Sequence, residues 1–391
     1  MKSDGTTVRK IPGMSFVVAG FVWLLATPMH AETRRVETAA TGSPMQTGGE
    51  NDAPPFQNAH VVKRAVRGAL GEDVLRWRGA TTGARWLGYS VAAAEGDRTV
   101  CCSNWDESGH RCGACQLEGN HEGMNVNSSR MEKATVRLES QWLAVLVRAE
   151  NGRIVKIRMF SADCTVDGGG KDVLWLAGVP DSESVELLSG YVNAEKSHGE
   201  GDESLGKSAL TAIALHGDAS AEKALLSFAE PTQPEWLRRD TAFWLGAARG
   251  ADGFHALRKM AHDDPSPRVR EQVTFALSVS KEPGAVNEMI RMAHDDTSAQ
   301  VRGQALFWLA QKAGKKALGA IDAAIQNDPD TEVKKRAVFA LSQLPHVEGV
   351  PKLIEVAQTN KNAEVRKQAM FWLGQSQDPR ALAFFEKVLG Q

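Results

Sequence analysis

The sequence predicts a mostly helical protein in which an α-solenoid of helix pairs follows a small α+β domain that contains cysteines. Two observations lead to this prediction. From about Asp202 to Gln391 the apolar pattern repeats every 32 residues, a period typical of stacked helical units. All five cysteines and several β-rich runs lie before that region, between residues 60 and 180.

Composition excludes some classes of partner. The chain has 391 residues, enough for two or three domains, and its formal net charge at pH 7 is −2. Binding to nucleic acid requires a strongly basic face, and an anionic membrane surface attracts basic proteins for the same reason. We therefore expect a soluble protein that does not bind nucleic acid.

The first 31 residues have the layout of a secretory signal peptide. Basic residues precede an apolar stretch from Ile11 to Ala26, and small residues near Ala31 offer a cleavage point. The alternative is a membrane anchor, but the apolar stretch is shorter than the roughly 20 residues that a spanning helix needs. We expect a mature chain that starts at Glu32, has no transmembrane span and is periplasmic or secreted.

Residues 32–59 are rich in small and polar residues, so we expect a disordered linker. Residues 60–180 are predicted to form the small α+β domain, with a helix over Val61–Trp77. Asn151-Gly152 between two β-rich runs is typical of a hairpin turn. The predicted strands are Ala84–Val91, Trp142–Arg148 and Arg153–Phe160.

Four cysteines form a cluster in this domain, and its chemistry has three interpretations. Cys101, Cys102, Cys112 and Cys115 lie near His110 and His121, and such a set can hold zinc. In an exported domain, clustered cysteines favour disulfides instead. A redox-active Cys112–Cys115 pair is a third reading, which the absence of a strand-then-helix pattern disfavours. With Cys164 the chain has five cysteines, an odd number, so one thiol is free, buried or paired between chains, and the sequence does not choose which.

Each 32-residue unit contains two amphipathic helices. In one unit the first helix covers Gly253–Ala261, and the second begins near Pro267 and buries a stripe of Val and Leu. Short polar residues precede the second helices and are predicted to be N-caps. They are Ser266, Ser298, Asp330 and Asn362.

An acidic residue followed six positions later by a basic one recurs at the same period. The pairs are Asp264 and Arg270, Asp296 and Arg302, Asp328 and Lys334, with Asn360 and Arg366 as a softened copy. This pattern resembles the Asp/Arg ladder of HEAT repeats of the PBS-lyase HEAT-like type. The resemblance covers about 190 residues and implies a right-handed α-solenoid of about six repeats over residues 181–391. It also implies that the second helices line the concave surface.

The resemblance does not imply an enzyme here. Some HEAT-repeat proteins are iron hydroxylases with paired His-Glu dipeptides on their helices, whereas the only His-Glu in this chain is His121-Glu122, outside the repeats. We therefore predict no catalytic residues and no cofactor, apart from zinc as the alternative at the four clustered cysteines.

A column of aromatic residues is the candidate binding site. At 100° per residue, the phenylalanines fall well away from the buried stripe of each second helix, on a face that we expect to bind a protein or peptide. The alternative is that each ring leans onto a neighbouring helix without a partner. The column is Phe243, Phe275, Phe307, Phe339 and Phe371, edged by Gln272, Gln304 and Gln368.

The sequence thus predicts an exported protein-binding scaffold or adaptor that presents a concave HEAT-repeat groove to a protein or peptide. The alternative function is an enzyme, or a metal- or redox-responsive sensor, whose chemistry lies in residues 60–180 and whose repeats are a docking arm.

Overall fold

The computed structural model describes residues 53–94, 104–105, 111–112, 115–118, 141–162, 164–194 and 204–390. The predicted signal peptide, most of the predicted linker and much of the cysteine cluster lie outside these residues. Strands come first in the chain and helices dominate the rest. The strands are β1 (Phe56–Ala65), β2 (Ala84–Ala92), β3 (Asn104–Trp105), β4 (Arg111–Cys112), β5 (Cys115–Gln116), β6 (Trp142–Glu150), β7 (Arg153–Ser161) and β8 (Val166–Ala177).

The main sheet is mixed, with the strand order β1-β8-β2-β6-β7. Strand β8 runs parallel to both β1 and β2, and β5 pairs with it as well, whereas β6 is antiparallel to β2 and β7. The predicted hairpin is confirmed as the β6–β7 turn. Asn151 and Gly152 have φ values of 50° and 77°, the left-handed conformation that two-residue hairpin turns require and that this dipeptide adopts readily.

The helix predicted over Val61–Trp77 is wrong in its first part. Strand β1 occupies Phe56–Ala65, and the helix that follows, α1, covers only Leu70–Gly79. The strand also begins within residues 32–59, so the predicted linker extends too far. Strand β1 forms because it pairs in parallel with β8, about one hundred residues away, and local apolar spacing contains no trace of such a partner.

The two faces of the sheet belong to different hydrophobic clusters. Leu87, Tyr89 and Val91 alternate along β2 and join the cluster that continues into the helices. Trp86 points to the opposite face and packs with Trp175 of β8 in a smaller cluster. The larger cluster is continuous from the sheet to the last repeat, so sheet and solenoid share one core.

Paired helices follow the sheet. The first helices of the pairs are α2 (Asp181–Ala194), α4 (Ala219–Phe228), α6 (Gly250–Asp263), α8 (Ala285–Asp295), α10 (Leu318–Asn327) and α12 (His346–Thr359). The second helices are α3 (Leu205–Leu215), α5 (Glu235–Ala248), α7 (Pro267–Val279), α9 (Ala299–Ala313), α11 (Thr331–Ser342) and α13 (Ala363–Gln375), and α14 (Pro379–Leu389) ends the series.

The second helices pack side by side in one layer, because α5, α7, α9, α11 and α13 each contact the next. Their predicted stripe is buried, with Val269, Val273 and Leu277 at 0% exposure in α7. In a solenoid each unit buries its apolar face only against its neighbours, as here. The predicted α-solenoid preceded by a small α+β region is therefore confirmed.

Three of the four predicted N-caps are confirmed, since Ser298, Asp330 and Asn362 accept hydrogen bonds from first-turn N–H groups. Ser266 lies at the N-cap position but makes no such bond. Its hydroxyl instead donates to Glu235 Oε2 at 2.6 Å, which takes the side chain away from its own helix.

The Asp/Arg ladder joins successive repeats. Each arginine early in a second helix binds the aspartate of the following inter-helix turn through two hydrogen bonds. The pairs, with their two distances, are Arg238 and Asp264 (2.8 and 3.2 Å), Arg270 and Asp296 (2.8 and 3.0 Å), and Arg302 and Asp328 (2.7 and 3.0 Å).

Two of these arginines also donate a hydrogen bond within their own repeat. Arg270 Nη1 donates to the carbonyl oxygen of Asp264, six residues earlier, at 2.8 Å, and Arg302 does the same to Asp296. The fourth position differs, because Lys334 donates to the carbonyl oxygen of Gln326 and the acceptor position holds Asn360. The Asp/Arg ladder therefore joins four successive repeats through three Arg–Asp pairs, and the next repeat is joined without such a pair.

Among the residues that the structure describes, no helix is both long enough and apolar enough to cross a membrane.

Candidate functional site

The predicted phenylalanine column lies on the second helices α5, α7, α9, α11 and α13. Phe243, Phe275, Phe307 and Phe339 are half-buried, whereas Phe371 in the last second helix is 54% exposed. Four of the rings are thus neither core residues nor fully exposed, and the fifth is exposed.

The phenylalanines do not stand apart from one another, because tryptophans connect them. Phe243 stacks on Phe275 with ring centroids 5.8 Å apart, and Phe307 stacks on Phe339 at 5.7 Å. Trp308 joins these two pairs, since it lies 4.7 Å from Phe275 and 4.8 Å from Phe307. Such offset and edge contacts each contribute about 0.5–1.5 kcal/mol beyond area burial.

The same arrangement recurs at both ends of the column. Trp244 meets Phe243 at 5.0 Å, and Trp372 meets Phe339 at 4.8 Å and Phe371 at 5.0 Å. The result is a continuous series of eight rings, which we call the aromatic ladder. In order it is Trp244, Phe243, Phe275, Trp308, Phe307, Phe339, Trp372 and Phe371.

The structural period of the ladder is two repeats, or 64 residues, because tryptophan alternates with alanine at one position. Ala276 and Ala340 are fully buried there, while Trp244, Trp308 and Trp372 are half-buried against the core. Stacked phenylalanine pairs form between a tryptophan-bearing helix and the alanine-bearing helix that follows it. The tryptophan side chains therefore pack against the edge of the core and also belong to the aromatic ladder.

Glutamine side chains border the ladder. The predicted Gln272, Gln304 and Gln368 are all half-buried on the same helices. A second row lies one turn beyond the rings, where Gln311 Nε2 donates to Gln343 Oε1 at 3.4 Å. Amide groups offer both a donor and an acceptor, so this border suits polypeptide backbone as well as polar side chains.

Charges near the middle of the ladder are arranged around Glu271. Burial raises the pKa of the Glu271 carboxyl above its usual range, against the opposing effect of Arg336 and Arg239. Arg336 reaches across the layer because Gly303 leaves room for it, and an added Cβ at Gly303 would lie 2.4 Å from Arg336 Cδ. Arg336 also donates from Nη1 to the carbonyl oxygen of Gln300 at 3.3 Å, so its guanidinium is held against the neighbouring second helix.

Two pockets adjoin the ends of the aromatic ladder. One, of about 180 Å³, lies between α11, α12 and α13 beside Trp372. The other, of about 290 Å³, lies between α3, α5 and α7 and is lined by Trp244, Phe243 and Phe275. The second opens onto the same face as the ladder and is the larger.

A buried polar network joins the sheet to the first helix pairs and is separate from this face. Ser184 Oγ lies 3.0 Å from Tyr89 OH and 2.9 Å from His216 Nε2, and His216 Nδ1 lies 2.7 Å from the carbonyl oxygen of Ala212. Because a carbonyl only accepts, Nδ1 carries the proton and Nε2 accepts from Ser184. Burial lowers the pKa of His216 to about 4, with Arg249 acting in the same direction. All three side chains are inaccessible, so the network fastens elements together and does not form a reaction site.

The cysteine cluster is described only in part. Cys164 is buried and disulfide-bonded, while the side chains of Cys101, Cys102, Cys112 and Cys115 lie outside the described residues. A disulfide among those four stays a prediction, as does zinc. In the described part of the chain no group of three or more His, Cys, Asp or Glu side chains could hold a metal ion.

Comparison with known families agrees with the geometry of the helix pairs. Residues 222–310 and 317–391 match the family model described as HEAT repeats. The C-terminal part of this chain is a HEAT-repeat solenoid. This match does not extend into the α+β region, and a search of curated protein sequences finds no match for the chain.

Several solved structures are similar to about half of this chain at low identity. Human deoxyhypusine hydroxylase is 17% identical, with 53% of this chain and 90% of that chain covered and a TM-score of 0.29. The CpcE–CpcF complex of phycocyanin lyase from Nostoc is 19% identical, with 51% and 79% covered and a TM-score of 0.29. The S. pombe condensin Cnd3–Cnd2 subcomplex is 19% identical, with 50% and 29% covered and a TM-score of 0.33.

Sequence reasoning identified the phenylalanines and missed the tryptophans as members of the same surface. The signal was present, because each tryptophan directly follows a phenylalanine of the column. It also missed the pocket beside Trp244. Thr211, which lines this pocket, stands 32 residues before Phe243, at the position where the later repeats carry a phenylalanine.

Proposed function

We propose that the HEAT-repeat solenoid is an exported scaffold or adaptor that binds a protein or peptide along the aromatic ladder. The observation that carries this proposal is the continuous series of eight rings over five repeats. Ring edges remain accessible along a border of glutamines, and aromatic surface rimmed by polar groups is what protein interfaces favour.

The location is part of the same proposal. The N-terminal sequence has the layout of a signal peptide, and the disulfide at Cys164 supports an oxidising compartment, since disulfides persist there and are rare in the cytosol. We expect the mature chain in the periplasm or outside the cell, with residues 60–180 as a structural base for the solenoid.

Capture of partners from a native envelope extract tests the proposal. Phe307→Leu keeps an apolar side chain but removes a ring from the centre of the ladder, and Phe371→Ala removes the most exposed ring. Both variants should lose a partner that the unaltered protein retains. Val347→Ala is the matched control, because Val347 lies on a first helix and is 73% exposed.

The stability of each variant must be measured beside its binding. Phe371→Ala should change the melting temperature little, because about half of the Phe371 side chain is exposed to solvent and its removal breaks a single ring contact, with Trp372. If both ring variants retain every partner, or if Val347→Ala loses the same ones, the ladder is packing and the proposal fails.

A further inference from the structure

Two of the three tryptophans in the aromatic ladder are each covered by a phenylalanine ring from the preceding repeat. Phe275 lies over Trp308 at 4.7 Å with the ring planes inclined by 42°, and Phe339 lies over Trp372 at 4.8 Å and 36°. In both cases the covering phenylalanine comes 33 positions before the tryptophan. The contact is therefore a repeated element of the fold.

Trp244 lacks this cover. The residue 33 positions before it is Thr211, whose side chain is too short to span the distance between neighbouring helices. Its hydroxyl donates to the carbonyl oxygen of Lys207 at 3.0 Å, inside its own helix. The side chain is thus held against α3 and leaves the face of Trp244 open.

The open face is one wall of the larger pocket, of about 290 Å³. An apolar cavity of about 150 Å³ is sufficient to bind benzene, so the pocket has room for one aromatic ring. Its walls include Trp244, Phe243 and Phe275, and Leu210 is buried behind Thr211. Three aromatic side chains of the ladder thus line the pocket.

We propose that this pocket receives an aromatic side chain of a polypeptide partner, placed over Trp244 as Phe275 is placed over Trp308. The inference rests on the proposed function of the ladder as a protein-binding surface, and it names the residue class that anchors the partner. The intramolecular contacts two and four repeats away are the template for the intermolecular one.

The rim of the pocket indicates a polypeptide and disfavours a charged small molecule. Lys207 and Asp240 supply opposite charges and Gln272 supplies an amide, so the rim selects neither sign of charge and can hydrogen-bond to backbone groups. The pocket also opens at the end of the ladder. A chain that leaves it therefore continues along Phe275 and the later rings.

The first test uses the full chain and two small probes, N-acetyl-phenylalanine N-methylamide and its leucine analogue, with binding followed by NMR of the indole N–H signals. The phenylalanine probe should bind at one site about tenfold more tightly than the leucine probe, because it gains two aromatic contacts. The indole signal that shifts should be the one that is absent from Trp244→Phe. Equal affinities for the two probes would overturn the aromatic assignment.

Thr211→Phe is the decisive variant, because it supplies the missing ring from the chain itself. It should abolish binding of the phenylalanine probe while leaving the melting temperature unchanged or raised. The reverse variant, Phe339→Thr, uncovers Trp372 and should raise the number of bound probes from one to two. Persistent binding in a folded Thr211→Phe protein would overturn the inference.

These results separate the pocket from the ladder. If Thr211→Phe still captures every partner whereas Phe307→Leu does not, the ladder binds its partner without an anchor at Trp244, and only the pocket inference fails. If Phe307→Leu and Phe371→Ala also capture every partner, the proposed function fails with it.

Discussion

Breaking one rung of the Asp/Arg ladder should destabilise the solenoid far more than a surface ion pair would. Arg270 and Asp296 have side-chain exposures of 11% and 4% and are joined by two hydrogen bonds. Removing one member of a buried pair leaves the other charge without its partner and costs about 3–5 kcal/mol. Exposed pairs contribute about 1 kcal/mol or less.

The hydrogen bonds around Arg270 narrow the loss of stability that we expect for Arg270→Ala. Asp296 Oδ1 keeps the hydrogen bond that it accepts from the N–H group of Ser298 at 2.8 Å, which limits the cost of its burial. The carbonyl oxygen of Asp264 loses the donor that closes the repeat. We therefore expect a loss near the lower end, about 3 kcal/mol, and a melting temperature lower by roughly 6–12 °C for a domain of this size.

The fourth position of the ladder provides a matched test in the opposite direction. Lys334 and Asn360 replace the usual arginine and aspartate there, and Asn360 is 6% exposed. Lys334→Arg with Asn360→Asp should rebuild the rung and stabilise the protein, whereas Asn360→Asp alone pairs the new carboxylate with a lysine that cannot form the two-bond contact and should stabilise it less.

Urea unfolding followed by circular dichroism measures all of these variants, and the double-mutant cycle at residues 334 and 360 isolates the coupling. The reasoning is refuted if Arg270→Ala costs less than about 1 kcal/mol, the value of an exposed pair. It is also refuted if the rebuilt rung shows no favourable coupling.

Three further predictions concern the core, the buried network and the cysteines. Leu277→Ala should cost about 2–5 kcal/mol in urea unfolding, because Leu277 is fully buried, whereas Leu382→Ala, at a 62% exposed position, should cost much less. Since burial lowers the pKa of His216 to about 4, the unfolded chain takes up that proton first as pH falls. The stability that neutral His216 contributes should be present above about pH 6.5 and decline by roughly 2–3 kcal/mol by pH 4.5, and His216→Gln should remove this part of the pH dependence. The disulfide at Cys164 uses two of the five cysteines, so thiol titration in denaturant should find at most three free thiols, and five free thiols with stoichiometric zinc would support the metal interpretation.

The repeat region could be predicted from sequence because its information is local and periodic. The 32-residue period located both helices of each unit, and the buried stripe of α7 lies where the spacing of Val269, Val273 and Leu277 places it. The pairing of side chains within the Asp/Arg ladder was harder to predict from the sequence. Arg270 binds the side chain of Asp296, 26 residues later, and only the backbone oxygen of Asp264.

Features that depend on contacts between distant segments could not be predicted from the local sequence pattern. Strand β1 pairs with β8 across the whole α+β region, and its own sequence fits a helix as well as a strand. A helical wheel placed Phe275 away from the core of its own helix. It carried no information on Trp308 of the next helix, which brings the ring to half-burial and completes the aromatic ladder.

Site-specific photo-crosslinking tests most directly whether the aromatic ladder binds a polypeptide. A benzophenone side chain in place of Gln304, beside the central rings, should cross-link to a partner in the native envelope. The same group in place of Ala323, exposed on the first helix α10, should not. Cross-links from both positions alike, or from Ala323 alone, would contradict the account, because the partner would then contact the solenoid without using the ladder.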